Sequence, residues 1–145
     1  MSIFLGGTGS NNELHDYEEG TWTVTYPGGT EGSAPTQSYA KYVKVGHMVY
    51  VSFYISSLKT PNNNTQFSIG GLPFTVGSSG YGFGRIQYCG NQALAGVNLG
   101  SLASPSSTYL YFHRQDSNAS VWTNAEQRSG YNGPLLVGHI YETNS

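Results

Sequence analysis

The chain has 145 residues, a length that suits one compact domain with a modest core. Charged residues make up only 10% and the net charge is about −2, so there is no basic stripe to hold nucleic acid, and no apolar run reaches the roughly 18 residues that span a bilayer. A single cysteine, Cys89, excludes an internal disulfide or a cysteine-built metal site and reads as a small buried hydrophobe.

Residues 1–15 read as an N-terminal arm or linker. Ser2-Ile3-Phe4-Leu5 is too short for a secretion signal and lacks a charged leader, which leads us to expect a soluble chain made in a cytosol. Residues 6–13, GGTGSNNE, are small and polar without periodicity. Residues 16–145 are expected to form the folded domain. Three of the eight acidic residues, Asp16, Glu18 and Glu19, crowd into four positions at its start, ahead of an alternating strand expected over 21–26.

A loop at 27–32 leads to a second strand over 39–45, closed by Gly46. The strongest strand pattern is 47–58, where Val49, Val51, Phe53 and Ile55 share one face and Met48, Tyr50, Ser52, Tyr54 and Ser56 the other. The cluster Lys59-Thr60-Pro61-Asn62-Asn63-Asn64 is a turn. Short strands follow at 66–69 and 81–89. Gly82 and Gly84 inside the latter predict a bulge or the close approach of another backbone. Residues 93–99 are weakly strand-like. In 108–113, Leu110 and Phe112 oppose Tyr109, Tyr111 and His113. Residues 114–118 read as a hairpin tip, 120–124 as its return and 135–141 as the last strand. No window carries a helical stripe. Eight or nine short strands with regular turns predict an all-β, antiparallel, jelly-roll-like β-sandwich.

Three stretches together resemble one family. Asp16-Tyr17-Glu18-Glu19-Gly20-Thr21-Trp22-Thr23 resembles a signature that commonly opens the C-terminal domain of bacteriophage tail-fibre and tailspike proteins. Tyr39-Ala40-Lys41-Tyr42-Val43-Lys44-Val45-Gly46, followed by His47-Met48-Val49-Tyr50-Val51, looks like that family's Tyr-x-Lys-x-Gly strand pair. Ile69-Gly70-Gly71-Leu72-Pro73-Phe74-Thr75 looks like its Gly-Leu-Pro-Phe turn. The resemblance covers residues 16–75 and is one of style beyond. Two departures stand out: His15 occupies a place where an acid is more usual, and only about 15 residues precede the signature, where the family carries a long shaft or an enzymatic β-helix. The chain is therefore read as a small stand-alone virion protein or an excised tip. The resemblance implies a homotrimer in the virion, made in the host cytoplasm and used in host adsorption.

In a trimer each carboxylate recurs three times around one axis. Charge at a subunit seam rejects wrong registers by repulsion, so Asp16, Glu18, Glu19, Lys41 and Lys44, with Trp22 as a buried anchor, are expected at the trimer interface. The alternative is a solvated patch before an ordinary core tryptophan. No calcium-type acidic loop is present and no metal or other cofactor is expected. Asp116 and Glu126 bracket 120–124, as paired glycosidase carboxylates might be sought, but Asp116 reads as a turn residue. His15, His47, His113 and His139 are scattered, and Gly80-Tyr81-Gly82-Phe83-Gly84 leads into a strand instead of a helix, so neither metal ligation nor a phosphate cradle is supported. The chain is expected not to be an enzyme.

Twelve tyrosines, six phenylalanines and two tryptophans in a weakly charged chain suit recognition of sugars, whose flat C–H faces and hydroxyls match aromatic platforms with polar rims. The expected glycan site is Tyr109 and Tyr111 with Arg114, Gln115, Asp116, Asn118 and Trp122. Asn62, Asn63 and Asn64, and Tyr131 with Asn132, are secondary candidates. Alternatively the Tyr row packs against a neighbouring subunit or second sheet. The expected function is a trimeric fibre tip that binds a host-surface polysaccharide without catalysis. The second reading is a capsid decoration protein attached to other virion proteins through residues 1–15.

Overall fold

The structure, a computed structural model, describes residues 3–4, 13–14, 16–27, 35–59, 66–90, 97–116, 123–124 and 132–144. These residues are all-β, without a helix. The strands are β1 (Ile3–Phe4), β2 (Glu13–Leu14), β3 (Tyr17–Thr21), β4 (Thr36–Val45), β5 (Met48–Lys59), β6 (Ser68–Gly70), β7 (Gly82–Cys89), β8 (Val97–Ala103), β9 (Tyr109–Asp116), β10 (Thr123–Asn124) and β11 (Asn132–Glu142). β1 and β2 pair only with each other, Ile3 opposite Leu14. The rest form one antiparallel sheet in the order β10-β9-β8-β7-β11-β5-β4-β3, with β6 also on β9.

That sheet curls until its far regions touch. Just beyond β3, Thr25 bridges Gly70 of β6 through two backbone hydrogen bonds of 2.9 and 2.8 Å, and β6 in turn lies along β9. The inner face takes the core. Val49, Val51, Phe53 and Ile55 point inward from β5 as their alternation requires, and Leu135, Val137 and Tyr141 do so from β11. Trp22 meets Phe53 edge to face at 5.5 Å, and Phe67 packs on Phe112 at 4.7 Å.

Glu18 and Glu19 lie within a strand, β3, and Asp16, with φ of +59°, stands immediately ahead of it. Glu18 stands opposite Lys44 and Glu19 opposite Val43 in the β3–β4 ladder. Residues 22–26, expected to be the strand proper, instead cross toward β6. The Gln37 side chain holds the crossing, accepting from the Val24 amide at 2.7 Å and donating to the Trp22 carbonyl at 3.0 Å.

The three stretches that carry the family resemblance converge at one end of the sheet. Lys44 is 3% exposed, ion-paired to Asp16, with its ammonium 5.5 Å from the centre of the Phe74 ring. Tyr42 donates to Glu18 at 2.5 Å and sets its ring edge-on to Phe74 at 5.4 Å. Tyr141 donates to the Phe74 carbonyl at 3.1 Å. Gly71, with φ of +87°, makes the turn that delivers Leu72 and Phe74, and a Cβ there would strike the Thr23 carbonyl.

This cluster yields a stability contrast. Asp16→Asn leaves a buried ammonium without its counter-charge and should cost about 1–3 kcal/mol, below the 3–5 typical of a fully buried pair because Asp16 is half exposed. Lys44→Met keeps the packed stem and removes the charge, so it should cost less. Urea midpoints of the two variants check the order.

Gly82 and Gly84 of β7 have the expected cause. A Cβ on Gly84 would lie 2.6 Å from Nδ1 of His139 and against the Gly138 carbonyl, and one on Gly82 would lie 2.5 Å from Nε2 of the same ring. A bulge is also present: Leu136 faces Tyr88 and Val137 faces Ile86, leaving Gln87 as the extra residue. Two boundaries differ from expectation. β8, Val97–Ala103, runs past the expected end at 99, because Ser101 is buried and bonded to His139 at 2.8 Å; the expected start at 93–96 lies outside the described residues. Arg114, Gln115 and Asp116 are not a hairpin tip: β9 continues through them, with Asp116 opposite Val97 and Gln115 opposite Asn98.

Candidate functional site

The alternation that buries Leu110 and Phe112 turns Tyr109 and Tyr111 to the outer face of β9. Residues directly opposite in an antiparallel ladder share a face, so the register can be followed outward from Tyr111. It passes through Leu102, Phe83, Ile140, Tyr50 and Val43, one residue from each successive strand. The result is an apolar row across six strands, in which Phe83 is 72% and Tyr50 49% exposed. A second row runs alongside through Tyr88, Leu136, Tyr54 and Tyr39, the last two with ring centres 6.4 Å apart.

Two shallow depressions of about 360 and 350 Å³ open on this face and share Leu102 and His113. One is completed by Gln66, Ser104 and Tyr111. The other is completed by Phe83 with the glycines and serine of the β7–β8 pair, Gly84, Gly100 and Ser101. Burial holds the His113 imidazole below its ordinary pKa, so it is neutral at pH 7. The surface is therefore aromatic and uncharged at the depressions, with amide, hydroxyl and imidazole groups at their rims. Such a lining offers flat ring faces for stacking and amide, hydroxyl and imidazole groups for hydrogen bonds.

Of the glycan residues expected from sequence, Tyr111 lines a depression. Tyr109 shares its face but leans over Gly70, where a Cβ would come within 2.6 Å of its ring. Gln115 is a half-buried strand residue. For Arg114 and Asp116, and for Asn132, only the backbone is described. Asn118 and Trp122 lie outside the described residues, as do His15, Asn62, Asn63, Asn64, Glu126 and Tyr131. Sequence reasoning missed Phe83, Leu102, His113 and Gln66. Phe83 had a readable signal: glycines on both sides that leave room for inward neighbours force the residue between them outward.

Of the expected seam residues, Trp22 and Lys44 are buried in this chain's own core. Asp16 is engaged by Lys44, Glu18 by Tyr42, and Glu19 by the Tyr17 hydroxyl at 2.7 Å. Hydrogen bonding to these carboxylates raises the pKa of both phenols. Lys41 is exposed on the outer face, opposite Thr21 and Ser52. β3 has no ladder partner on its other side among the described residues.

On the inner face, His139 is 1% exposed. Its Nδ1 meets Ser101, its Nε2 has no hydrogen-bond partner among the described residues, and burial pushes its pKa down to about 4. Among the described residues no three His, Cys, Asp or Glu side chains gather to hold a metal ion. No protein-family model matches the chain, and no match is found among curated proteins or solved structures.

Proposed function

We propose that this protein is a bacteriophage tail-fibre tip that binds a host-surface glycan through the outer face of β6, β7, β8 and β9, without catalysis. The observation that carries the reading is the pair of adjoining depressions between Phe83 and Tyr111, uncharged and rimmed by Gln66, Ser104 and His113. The resemblance of residues 16–75 to phage fibre domains supports the same reading. In it, the two halves of the curled sheet act as the layers of a jelly-roll-like β-sandwich, and three copies assemble around an axis. Glu18 and Glu19, on the free edge of β3, stand at the seam, where like charges also discourage edge-to-edge pairing with a wrong partner. Three weak sites facing a repetitive receptor gain roughly 10²–10⁴-fold in avidity.

Light scattering should return three times the chain mass, and labelled protein should attach to host cells and block adsorption. Phe83→Ala and Tyr111→Ala should each weaken attachment by about tenfold, as central aromatic contacts do, with the mass unchanged. A monomer that attaches to no bacterial surface would refute the reading. The β1–β2 ladder, which pairs with no other strand among the described residues, favours a second role for residues 1–15 as the attachment to other virion proteins. If the whole protein is instead a capsid decoration, it should bind empty capsids and leave adsorption untouched.

A further inference from the structure

Between the two aromatic rows runs a third, of different character. Lys41, Ser52, Gly138, Arg85, Gly100 and His113 follow one another across β4, β5, β11, β7, β8 and β9 in direct register. Three of the six are glycine or serine, so from β4 to β7, where aromatic rows run on both sides, this line forms a trough perpendicular to the strands. Tyr50 leans into its middle, with its hydroxyl 3.1 Å from where a Cβ on Gly138 would sit. Four strands at a spacing of about 4.8 Å make the trough roughly 14 Å long.

The trough also has a charge pattern. Lys41 and Arg85 are exposed, and neither forms an ion pair among the described residues. They are two of only six cationic side chains in the whole sequence. Three strand spacings separate them, about 14 Å. The described carboxylates of this face stand beside the line and not on it: Glu19, opposite Val43 and bonded to the Tyr17 hydroxyl, shares a depression with Lys41, and Glu142 stands one row further, opposite Met48. In a protein with net charge −2, two exposed cations that form no ion pair among the described residues, set beside aromatic rings, form a local match for negative charge.

We infer that this trough binds a linear acidic polysaccharide laid across the strands, with Arg85 and Lys41 receiving carboxylates of separate sugars and Tyr50 and Phe83 stacking on the rings between. The inference rests on the glycan-binding reading above and names its ligand class. It also gives Lys41 a role other than a subunit seam. The Arg85 guanidinium can fork onto a carboxylate, which orients the chain, whereas the Lys41 ammonium acts as a point charge further along. A neutral glycan would use the rings and leave both cations idle.

The test is affinity electrophoresis of the full chain in gels that contain alginate, hyaluronan or polysialic acid, three linear acidic polymers of different charge spacing, with dextran as the neutral control. At least one acidic polymer should retard the protein at low salt, far more strongly than dextran does. The double variant Lys41→Gln with Arg85→Gln should lose tenfold or more of that affinity while attachment through neutral sugars persists. Both positions are exposed, so the variant folds, and an unchanged urea midpoint checks it. Retardation by dextran as strong as by the acidic polymers, or an unaffected double variant, overturns the acidic-ligand inference and leaves the glycan reading standing. No retardation by any polymer also overturns it, and attachment to host cells then decides whether the glycan reading falls too. If Tyr50→Asp dissociates the oligomer, the face is a contact between copies and the inference is wrong.

Discussion

On acidification from pH 6.5 to about 4, the protein should lose about 3 kcal/mol of stability through one side chain, His139. The imidazole is buried on the inner face against Ser101 and Tyr141, with one nitrogen unpartnered among the described residues. Burial disfavours its cation, so its pKa falls from 6.5 in the unfolded chain to about 4 in the folded one. Above pH 6.5 neither state binds the proton and the group costs nothing. Below it the unfolded chain takes up a proton that the folded chain refuses, and stability falls until the folded imidazole itself titrates near 4. His139→Gln keeps a hydrogen-bonding partner for Ser101 and cannot ionise. Urea unfolding at pH 7.5, 5.5 and 4.5 should therefore show a steeper loss for the natural chain than for the variant. Parallel slopes would remove His139 from the account. His113, also held below its ordinary pKa by burial, adds to the slope with the same sign.

The second large effect is expected from a single methyl group. Gly84→Ala should destabilise the protein by about 3 kcal/mol or more, the upper range for overpacking. The added Cβ meets a backbone carbonyl, that of Gly138, on the adjoining central strand, and it also lies 2.6 Å from the His139 ring. A backbone cannot swing aside as a surface side chain does. Phe83→Ala, one residue away on the opposite face, should shift the urea midpoint hardly at all, within about 0.5 kcal/mol, because its ring is mostly in solvent. The same substitution is predicted to impair attachment, so the two neighbours separate folding from binding.

How far the fold can be read from the sequence depends on what fixes each element. β5 was legible residue by residue, since Val49 to Ile55 alternate without interruption and one face is fully buried. The glycines of β7 announced a close neighbour, although nothing local identified it as His139, some fifty residues on. The end of β8 is not legible locally because its burial depends on a partner: Ser101 is a core residue only when His139 stands across from it. Glu18 and Glu19 belong to β3, beyond what local alternation shows, since the pairing to β4 is set by Lys44 and Tyr42 at long range. In the candidate site, Tyr111 and its outward direction followed from alternation within β9. The rest of the surface, from Phe83 to Tyr50, is a product of register between strands distant in the chain, and no single stretch of sequence contains it.

The placement of β11 has a consequence for how the molecule is made. β11, the last of the described strands, is a central one, with Leu135 opposite Ile55 on one side and Cys89 on the other. Until residues 132–142 leave the ribosome, β5 and β7 are both bare edges of incomplete sheets, each with an apolar side uncovered. The pairing that joins the two halves is long-range and closes only once that segment is available. A cell that synthesises this protein in quantity should hold it on chaperones until translation passes that point, and a stop codon before residue 132 should turn it into an aggregate.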